Sequence, residues 1–276
     1  MHEAWEKYER LLAQIRGLQR VLVAFSGGVD STFLLKASLE AVGPENVLAV
    51  TADSETYPER ERDAATELAA ELGSPHVVIE TSELAIPGYA ENPVNRCYFC
   101  KFDLFSHLAP IGRERGFEHL VFGAIADDLG DFRPGLQAAK EQGVHAPLQD
   151  VMLYKREIRH LSKALGLRTW DKPSMACLSS RIPYGERITV EKLSMVDQAE
   201  FFLQQLGFRQ LRVRHHESTA RIEVPPEQIV DVAKLADMIT TKFQEIGYRY
   251  VTLDLQGYRT GSLNELLPKY AVSARQ

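Results

Sequence analysis

The chain has 276 residues, of which 25% are charged and 45% hydrophobic, and its formal net charge is −6 at pH 7. These values are ordinary for a globular protein of one large or two smaller domains, and the acidic charge argues against broad electrostatic binding of nucleic acid. No apolar run approaches the ~20 residues that span a bilayer, and the charged N-terminal segment does not resemble a signal peptide. Composition therefore predicts a cytoplasmic protein without a membrane segment.

Apolar strand patterns alternate with helical patterns over most of the chain. The predicted strands are 20–25, 46–51, 76–80 and 119–123, and the predicted helices are 1–17, 32–42, 58–72, 101–116 and 155–166. This alternation predicts an α/β fold with a doubly wound parallel sheet. After an irregular, proline-bearing stretch, the order becomes helix 190–206, strands 210–214 and 220–224, helix 227–246 and strand 248–255. We therefore predict a first domain over 1–183 and a smaller α+β domain with an antiparallel sheet over 184–276.

A glycine-rich loop follows the first predicted strand and precedes a predicted helix, with the sequence Ser26-Gly27-Gly28-Val29-Asp30-Ser31. Two glycines allow a tight turn with positive φ and let backbone N–H groups approach an anion closely. The positive end of the following helix is directed at the same point. The serine hydroxyls add donors, and Asp30 can carry the magnesium ion of a polyphosphate. The alternative is an ordinary strand–turn–helix connection with a capping residue.

The loop lacks the Gly-Lys-Ser/Thr ending of a Walker motif and resembles the PP-loop of the ATP pyrophosphatase superfamily. That superfamily includes GMP, NAD and asparagine synthetases and tRNA thiolases, and its members split ATP into AMP and pyrophosphate. The resemblance implies that pyrophosphate and Mg²⁺ are bound by Ser26, Gly27, Gly28, Asp30 and Ser31. Gly123, Asp127 and Asp128, after a later strand, resemble the second corner of such sites. For the two aspartates, a solvated loop is an equal alternative.

The chain has three cysteines, an odd number that argues against a disulfide framework. Cys97 and Cys100 form a Cys-x-x-Cys pair at the start of a predicted helix, where Arg96 and Lys101 would favour thiolates. Cys177 stands far away in sequence. Three thiolates without a nearby histidine suit a 4Fe-4S cluster with one open iron better than a tetrahedral zinc site. A redox pair beside an unrelated buried cysteine remains the alternative.

Basic residues follow the third cysteine. Ser180 and Arg181 lie just beyond it, and strand alternation places Arg212, Arg214 and His216 on one face. Arg221 and Glu223 stand in the next predicted strand. Arginines grouped in this way suit bidentate binding of a substrate phosphate. A solvated sheet face with arginine–glutamate pairs is the alternative, and by composition it is the more common case.

Four segments carry a more specific resemblance. The first is Cys-Leu-Ser-Ser-Arg-Ile-Pro-Tyr-Gly185, and the second is the pair of strands Arg-Val-Arg-His-His-Glu and Ala-Arg-Ile-Glu. The third is the closing Gly-Tyr-Arg-Tyr-Val-Thr-Leu-Asp-Leu-Gln-Gly-Tyr-Arg-Thr-Gly261, and the fourth is Asp131-Phe-Arg-Pro-Gly-Leu136. Together they resemble LarE-type ATP-dependent sulfur transferases over nearly the whole chain. The resemblance implies that a pyridinium carboxylate mononucleotide is adenylated and converted to a thiocarboxylate, for synthesis of the nickel-pincer nucleotide cofactor of lactate racemase. It also implies that Cys177 bears the sulfur and that the substrate phosphate is bound by Ser180, Arg181, Arg212 and Arg214. Glu200, Glu223 and Asp231 match family positions in the same surroundings.

The sulfur source depends on the cysteines. Members of that family with one cysteine surrender its sulfur, and the cysteine becomes dehydroalanine. This chain instead resembles members, and some tRNA thiolases, that hold a 4Fe-4S cluster on three cysteines. The corresponding residues here are Cys97, Cys100 and Cys177. The resulting interpretation is an ATP- and Mg²⁺-dependent enzyme with Asp30 and Cys177 as catalytic residues, an external sulfide source and a homo-oligomeric assembly. The alternatives are sacrifice of the Cys177 sulfur, a tRNA thiolase, a nucleotide-binding module with zinc-bound cysteines, and an ammonia-using synthetase.

Overall fold

The computed structural model describes residues 2–130, 133–259 and 263. The chain divides into two compact units, the first formed by 1–86 and 95–175 and the second by 87–94 and 176–276. The sequence-based boundary, near Pro183, falls a little after this division. Asp131 and Phe132 of the fourth LarE-like segment, and Thr260 and Gly261 at the end of the third, lie outside the described residues. No helix in the described part of the chain is long and apolar enough to cross a membrane.

The first unit is built on a four-stranded parallel sheet with the order β3-β2-β1-β4. Its strands are β1 (Val21–Ala24), β2 (Val47–Asp53), β3 (His76–Glu80) and β4 (His119–Phe122). Its helices are α1 (His2–Leu18), α2 (Val29–Val42), α3 (Glu59–Glu71), α4 (Arg96–Glu114), α5 (Pro134–Glu141), α6 (Pro147–Asp150) and α7 (Lys155–Ala164). The predicted α/β class and parallel sheet are confirmed. The sequence pattern missed α5 and α6, which are short.

The central position of β1 determines where the first unit can bind a ligand. Val21, Leu22 and Val23 are fully buried because β1 lies between β2 and β4. Ala24 is in parallel register with Phe122, so β1 and β4 end side by side. The loops that follow these two strands therefore meet at one edge of the sheet, which is where ligands bind in open α/β sheets.

The second unit contains a three-stranded sheet with the order β5-β6-β7. Its strands are β5 (Arg212–His216), β6 (Thr219–Glu223) and β7 (Tyr250–Leu253), and its helices are α8 (Val190–Gln205), α9 (Ile229–Lys234) and α10 (Ala236–Ile246). The prediction of an antiparallel sheet was wrong for β7, which is parallel to β6, whereas β5 and β6 are antiparallel. The reason is the helical crossover through α9 and α10, which returns the chain to the end of the sheet from which β6 began.

Candidate active site

The glycine-rich loop of the first unit has one left-handed residue. Gly27 has a φ of 59°, and a Cβ added there would lie 3.0 Å from the Cβ of Ala65 on α3. Gly28 is extended, with a φ of −79°, because it is the N-cap of α2. The prediction of positive φ at both glycines was therefore wrong for Gly28. Helix α2 begins earlier than predicted, so Asp30 and Ser31 lie in its first turn.

The loop is closed by its serines and by the end of β4. The hydroxyls of Ser26 and Ser31 are 3.1 Å apart and share a hydrogen bond, and the N–H of Ser26 donates to Ser31 Oγ over 3.3 Å. A Cβ on Gly123 would lie 3.1 Å from the nitrogen of Ser31 and 3.2 Å from the carbonyl carbon of Asp30. Gly123 therefore lets the chain after β4 approach the backbone of the first turn of α2.

Asp30 is the acidic residue of the loop, and its surroundings disfavour its negative charge. Burial raises the pKa of Asp30, Lys155 acts in the opposite direction, and the charge of Asp128 adds to the increase. Lys155 Nζ lies 2.5 Å from Asp30 Oδ2. Within the described residues, Asp30 Oδ1 is buried and has no hydrogen-bond partner. A buried carboxylate oxygen in that state is suited to a metal cation.

Asp127 is exposed and Asp128 half-buried, and both carboxylates accept hydrogen bonds from backbone N–H groups. Asp127 Oδ2 accepts the N–H of Lys155 over 2.7 Å, at the start of α7. Asp128 Oδ2 accepts the N–H of Ile125 over 3.0 Å, and its Oδ1 is 3.1 Å from the guanidinium of Arg133. Asp127 thus connects the chain after β4 to the first turn of α7, whereas Asp128 stabilises the turn that follows β4.

A basic cleft next to Asp30 was not predicted from the sequence. Its volume is about 560 Å³, and its lining residues are Asp127, Tyr154, Lys155, Arg156 and Arg159. The cationic start of α7 was visible in the sequence as Lys-Arg-Glu-Ile-Arg. Its proximity to the loop was not visible, because 125 positions separate Lys155 from Asp30.

The Cys-x-x-Cys pair lies in the first turn of α4. Cys97 is exposed, Cys100 is half-buried with its Sγ 3.7 Å from Glu83 Oε1, and neither forms a disulfide. Residues three apart lie on one helix face, and a helix N-terminus favours thiolates. Cys177 belongs to the second unit, just before the single turn 178–181. Within residues 2–130, 133–259 and 263, no three His, Cys, Asp or Glu side chains are grouped as a metal site.

Arg181 and Glu200 form a completely buried ion pair in the second unit. Two guanidinium nitrogens of Arg181 donate to the two carboxylate oxygens of Glu200, over 2.9 and 2.8 Å. The third nitrogen donates to the carbonyl oxygens of Ala176 and Cys177 and to Ser180 Oγ. Burial opposes both charges, yet the pKa of Arg181 is raised and that of Glu200 lowered because each stabilises the other. This pair therefore shapes the backbone around the sulfur-bearing position predicted from the sequence.

Arg214 is held in a similar way. Two of its nitrogens donate to the carboxylate of Glu223, each over 3.0 Å, and the third donates to the carbonyl oxygen of Ser180 over 2.8 Å. Glu223 is fully buried and also accepts from Arg221 over 3.0 Å. Arg214 and Arg181 thus hold the 176–181 segment through two different glutamates.

Arg212 differs from Arg181 in the direction in which its pKa is shifted. Burial and the positive charge of Arg181 lower the pKa of Arg212 to about 10, against the attraction of Glu200. Its guanidinium donates to the carbonyl oxygen of Leu211 over 2.7 Å and lies 5.3 Å from the ring centre of Tyr258. Burial is the main reason that the charged form of Arg212 is disfavoured, so a bound anion would stabilise that form.

Comparison with known proteins identifies the family of this chain. Residues 4–89 match the family model described as NAD synthase. The chain is 40% identical to the pyridinium-3,5-bisthiocarboxylic acid mononucleotide synthase of Lactiplantibacillus plantarum, over 95% of this chain and 95% of that protein. The chain belongs to the LarE family. It is also 47% identical to an uncharacterised protein of Synechocystis sp., over 95% of this chain and 98% of that protein. A more distant similarity, 31% identity over 58% of this chain and 35% of the relative, links it to the glutamine-hydrolyzing GMP synthase of Thermus thermophilus.

Membership of the LarE family confirms several predictions made from the sequence. The chain is an ATP-dependent sulfurtransferase with a PP-loop domain. The individual site residues and the 4Fe-4S cluster stay predictions. Lys155 and Arg159 were not predicted from the sequence as site residues. The only signal for them was a cluster of cationic residues at the start of a predicted helix.

The buried ion pair of this LarE-family chain gives a prediction about stability. Arg181→Met is expected to lower the free energy of unfolding by ~3–5 kcal/mol, because Glu200 would remain buried without its counter-charge. The matched control is Arg187→Met. The Arg187 side chain is 70% exposed and lies 3.6 Å from the exposed Glu91, so the expected loss is below ~1 kcal/mol. Urea unfolding followed by circular dichroism measures both. Equal losses in the two variants would contradict the prediction.

The Arg181–Glu200 pair also predicts how the free energy of unfolding changes as the pH falls. Because the pKa of Glu200 is below its ordinary value, its stabilising contribution is complete at neutral pH and disappears as pH falls through the lowered pKa. Wild-type stability should therefore decrease on acidification more steeply than that of a Glu200→Gln variant. Parallel slopes in urea titrations at successive pH values would contradict this.

Proposed function

We propose that this chain uses ATP to adenylate the carboxylate of a pyridinium mononucleotide and then converts the acyl adenylate to a thiocarboxylate, for nickel-pincer nucleotide synthesis. The observation that carries the proposal is the joint presence of a PP-loop containing Asp30 and a buried arginine group beside Cys177 in a LarE-family chain. The name of the Lactiplantibacillus plantarum relative supports the same substrate class.

The reaction balances without an oxidant or a reductant. In the first half, an oxygen of the substrate carboxylate attacks the α-phosphorus of ATP, and pyrophosphate leaves. In the second half, hydrosulfide attacks the acyl carbon, AMP leaves with the former carboxylate oxygen, and one proton is released. The products are a thiocarboxylate, AMP and pyrophosphate.

The PP-loop residues would serve the first half-reaction. Ser26 and Ser31 offer hydroxyls, and the N-terminus of α2 faces the loop with its positive dipole end. The unpartnered Oδ1 of Asp30 fits a magnesium ion, which would offset the negative charge of the departing pyrophosphate when bound. Lys155, which is paired with Asp30 in this structure, would then be available to the phosphates. Gly123 and Asp128 hold the adjoining backbone in place.

The arginine group would bind the substrate phosphate through Arg212. An anion at Arg212 would stabilise the charged form of this guanidinium, which burial disfavours. Arg181 and Arg214 already bind Glu200 and Glu223, so their proposed role, with Ser180, is to position Arg212 and the segment that carries Cys177. Binding energy gained at the phosphate would orient the carboxylate for both half-reactions.

The ligands of the proposed 4Fe-4S cluster would be Cys97, Cys100 and Cys177, as predicted from the sequence. In the first unit, Cys97 is exposed and Cys100 is half-buried on the same face of α4, and in the second unit Cys177 is half-buried. When bound, a cluster with one open iron would supply sulfide for transfer. A cytoplasmic location, a homo-oligomeric state and an external sulfide source stay predictions from the sequence.

Nucleotide chromatography after turnover tests the proposal. Anaerobically purified protein, supplied with ATP, Mg²⁺, sulfide and a pyridinium carboxylate mononucleotide, should form AMP, pyrophosphate and a thiocarboxylate detected by mass spectrometry. Formation of ADP and phosphate would exclude the PP-loop assignment. Pyrophosphate release that requires tRNA and ignores the mononucleotide would instead support a tRNA thiolase.

Arg212 provides a test of the substrate pocket. Arg212→Ala is expected to weaken mononucleotide binding by ~1.5–3 kcal/mol, the range for a hydrogen bond to a charged group, and to spare ATP binding. Arg249→Ala is the matched control, since that exposed arginine also lies over a tyrosine ring, 5.9 Å from the centre of Tyr250. Isothermal titration calorimetry measures both ligands. Loss of ATP binding with unchanged mononucleotide binding would contradict the assignment.

A further inference from the structure

Two consecutive carbonyl groups of the PP-loop are held by side chains outside the loop. The hydroxyl of Tyr57 donates to the carbonyl oxygen of Ser26 over 2.8 Å. The ammonium of Lys172 donates to the carbonyl oxygen of Gly27 over 3.0 Å. Nothing in the motif itself indicates either contact, and 145 positions separate Lys172 from Gly27.

These contacts determine the direction of two N–H groups. In a trans peptide the C=O and N–H bonds point to opposite sides, and the described residues contain no cis peptide. Holding the carbonyl of Ser26 therefore turns the N–H of Gly27 away from Tyr57. Holding the carbonyl of Gly27 likewise turns the N–H of Gly28 away from Lys172. Successive backbone N–H groups fixed in this way form an anion-binding concavity.

Lys172 is itself anchored on two sides. Lys172 Nζ also pairs with Glu61 of α3 at 2.8 Å. The backbone around Lys172 is fixed by Arg159, which donates to the carbonyl oxygens of Trp170 and Lys172 over 2.7 and 2.8 Å. Tyr57 comes just before α3. Residues of α3 and α7, two helices of the same unit, thus support Lys172.

We propose that Tyr57 and Lys172 are positioning residues that orient the N–H groups of Gly27 and Gly28 toward the pyrophosphate half of ATP. The proposal rests on the proposed function, and it assigns neither side chain a contact with the reacting atoms. Donors that are oriented before ATP binds need no reorganisation as pyrophosphate departs. Such preorganisation contributes to catalysis at that step.

Calorimetric titration with inorganic pyrophosphate in the presence of Mg²⁺ tests this directly, with AMP as the second ligand. Tyr57→Phe and Lys172→Met should each weaken pyrophosphate binding roughly tenfold, the size expected from one hydrogen bond. AMP binding should change less than about twofold, because it does not occupy the pyrophosphate site. Lys172→Arg retains a donor and should recover most of the loss.

Lys163→Met is the matched control, since the Lys163 ammonium lies over the Trp170 ring, 4.3 Å from its centre, in the same part of the unit. It should bind pyrophosphate as the wild type does. Variants of Tyr57 and Lys172 that unfold at lower temperature yet bind pyrophosphate normally would overturn the positioning role. Wild-type protein that forms no AMP would instead overturn the proposed function.

Discussion

Asp30→Asn is expected to lower the rate of AMP and pyrophosphate formation by about 10²–10³-fold, the usual effect of removing one preorganised electrostatic group. Asparagine preserves the shape of the side chain but removes the charge that would hold magnesium. Among the described residues, Asp30 Oδ1 is buried without a hydrogen-bond partner and Oδ2 is paired with Lys155, an environment suited to a magnesium ion. Single-turnover measurement of pyrophosphate release, with the substrate and Mg²⁺ saturating, provides the rate.

The same variant should fold at least as stably as the wild type. Burial raises the pKa of Asp30, so the folded state disfavours its ionised form at neutral pH, and the neutral amide removes that cost. The matched control is Asp63→Asn, which removes an exposed carboxylate on α3 and should leave the rate unchanged. A full rate in Asp30→Asn, or a loss fully explained by unfolding in a thermal scan, would refute the assignment.

Cys97→Ala, Cys100→Ala and Cys177→Ala are each expected to lose the cluster absorbance and the sulfur-transfer activity together. The reason is that three thiolates are the complete set this chain offers to one cluster. Adenylation should survive, because the PP-loop is a separate segment of the first unit. Absorbance spectra, iron and sulfide assays and pyrophosphate release, all under anaerobic conditions, separate these effects.

Mass spectrometry of the recovered protein distinguishes the two sulfur sources. With a cluster, the wild type should turn over repeatedly on added sulfide at unchanged mass. If Cys177 gives up its own sulfur, the protein stops after one turnover, becomes lighter by one H₂S, and Cys97→Ala stays active. The matched control for the cysteine variants is Tyr98→Phe, which alters the same turn of α4 by removing a hydroxyl bonded to Glu141.

Short-range patterns were sufficient to predict the PP-loop and the parallel sheet. The loop Ser26–Ser31 is contiguous, and its position between an apolar strand and a helix is a local property of the chain. The alternation of strands and helices likewise predicts parallel pairing, since a helical crossover brings the next strand back in the same direction. That rule also applies to β7, where the antiparallel prediction overlooked the crossover through α9 and α10.

The environment of each site residue depended on contacts between distant segments. Asp30 meets Lys155, and Gly27 meets Lys172, only after the sheet and α7 have assembled. The similar arginines of the second unit acquire different roles for the same reason. Arg181 packs against Glu200 on α8, whereas Arg212 is buried beside Arg181 and has its pKa lowered. Chemical type is a property of the sequence, but burial and pairing depend on three-dimensional packing, and these set the charge and the direction of each group.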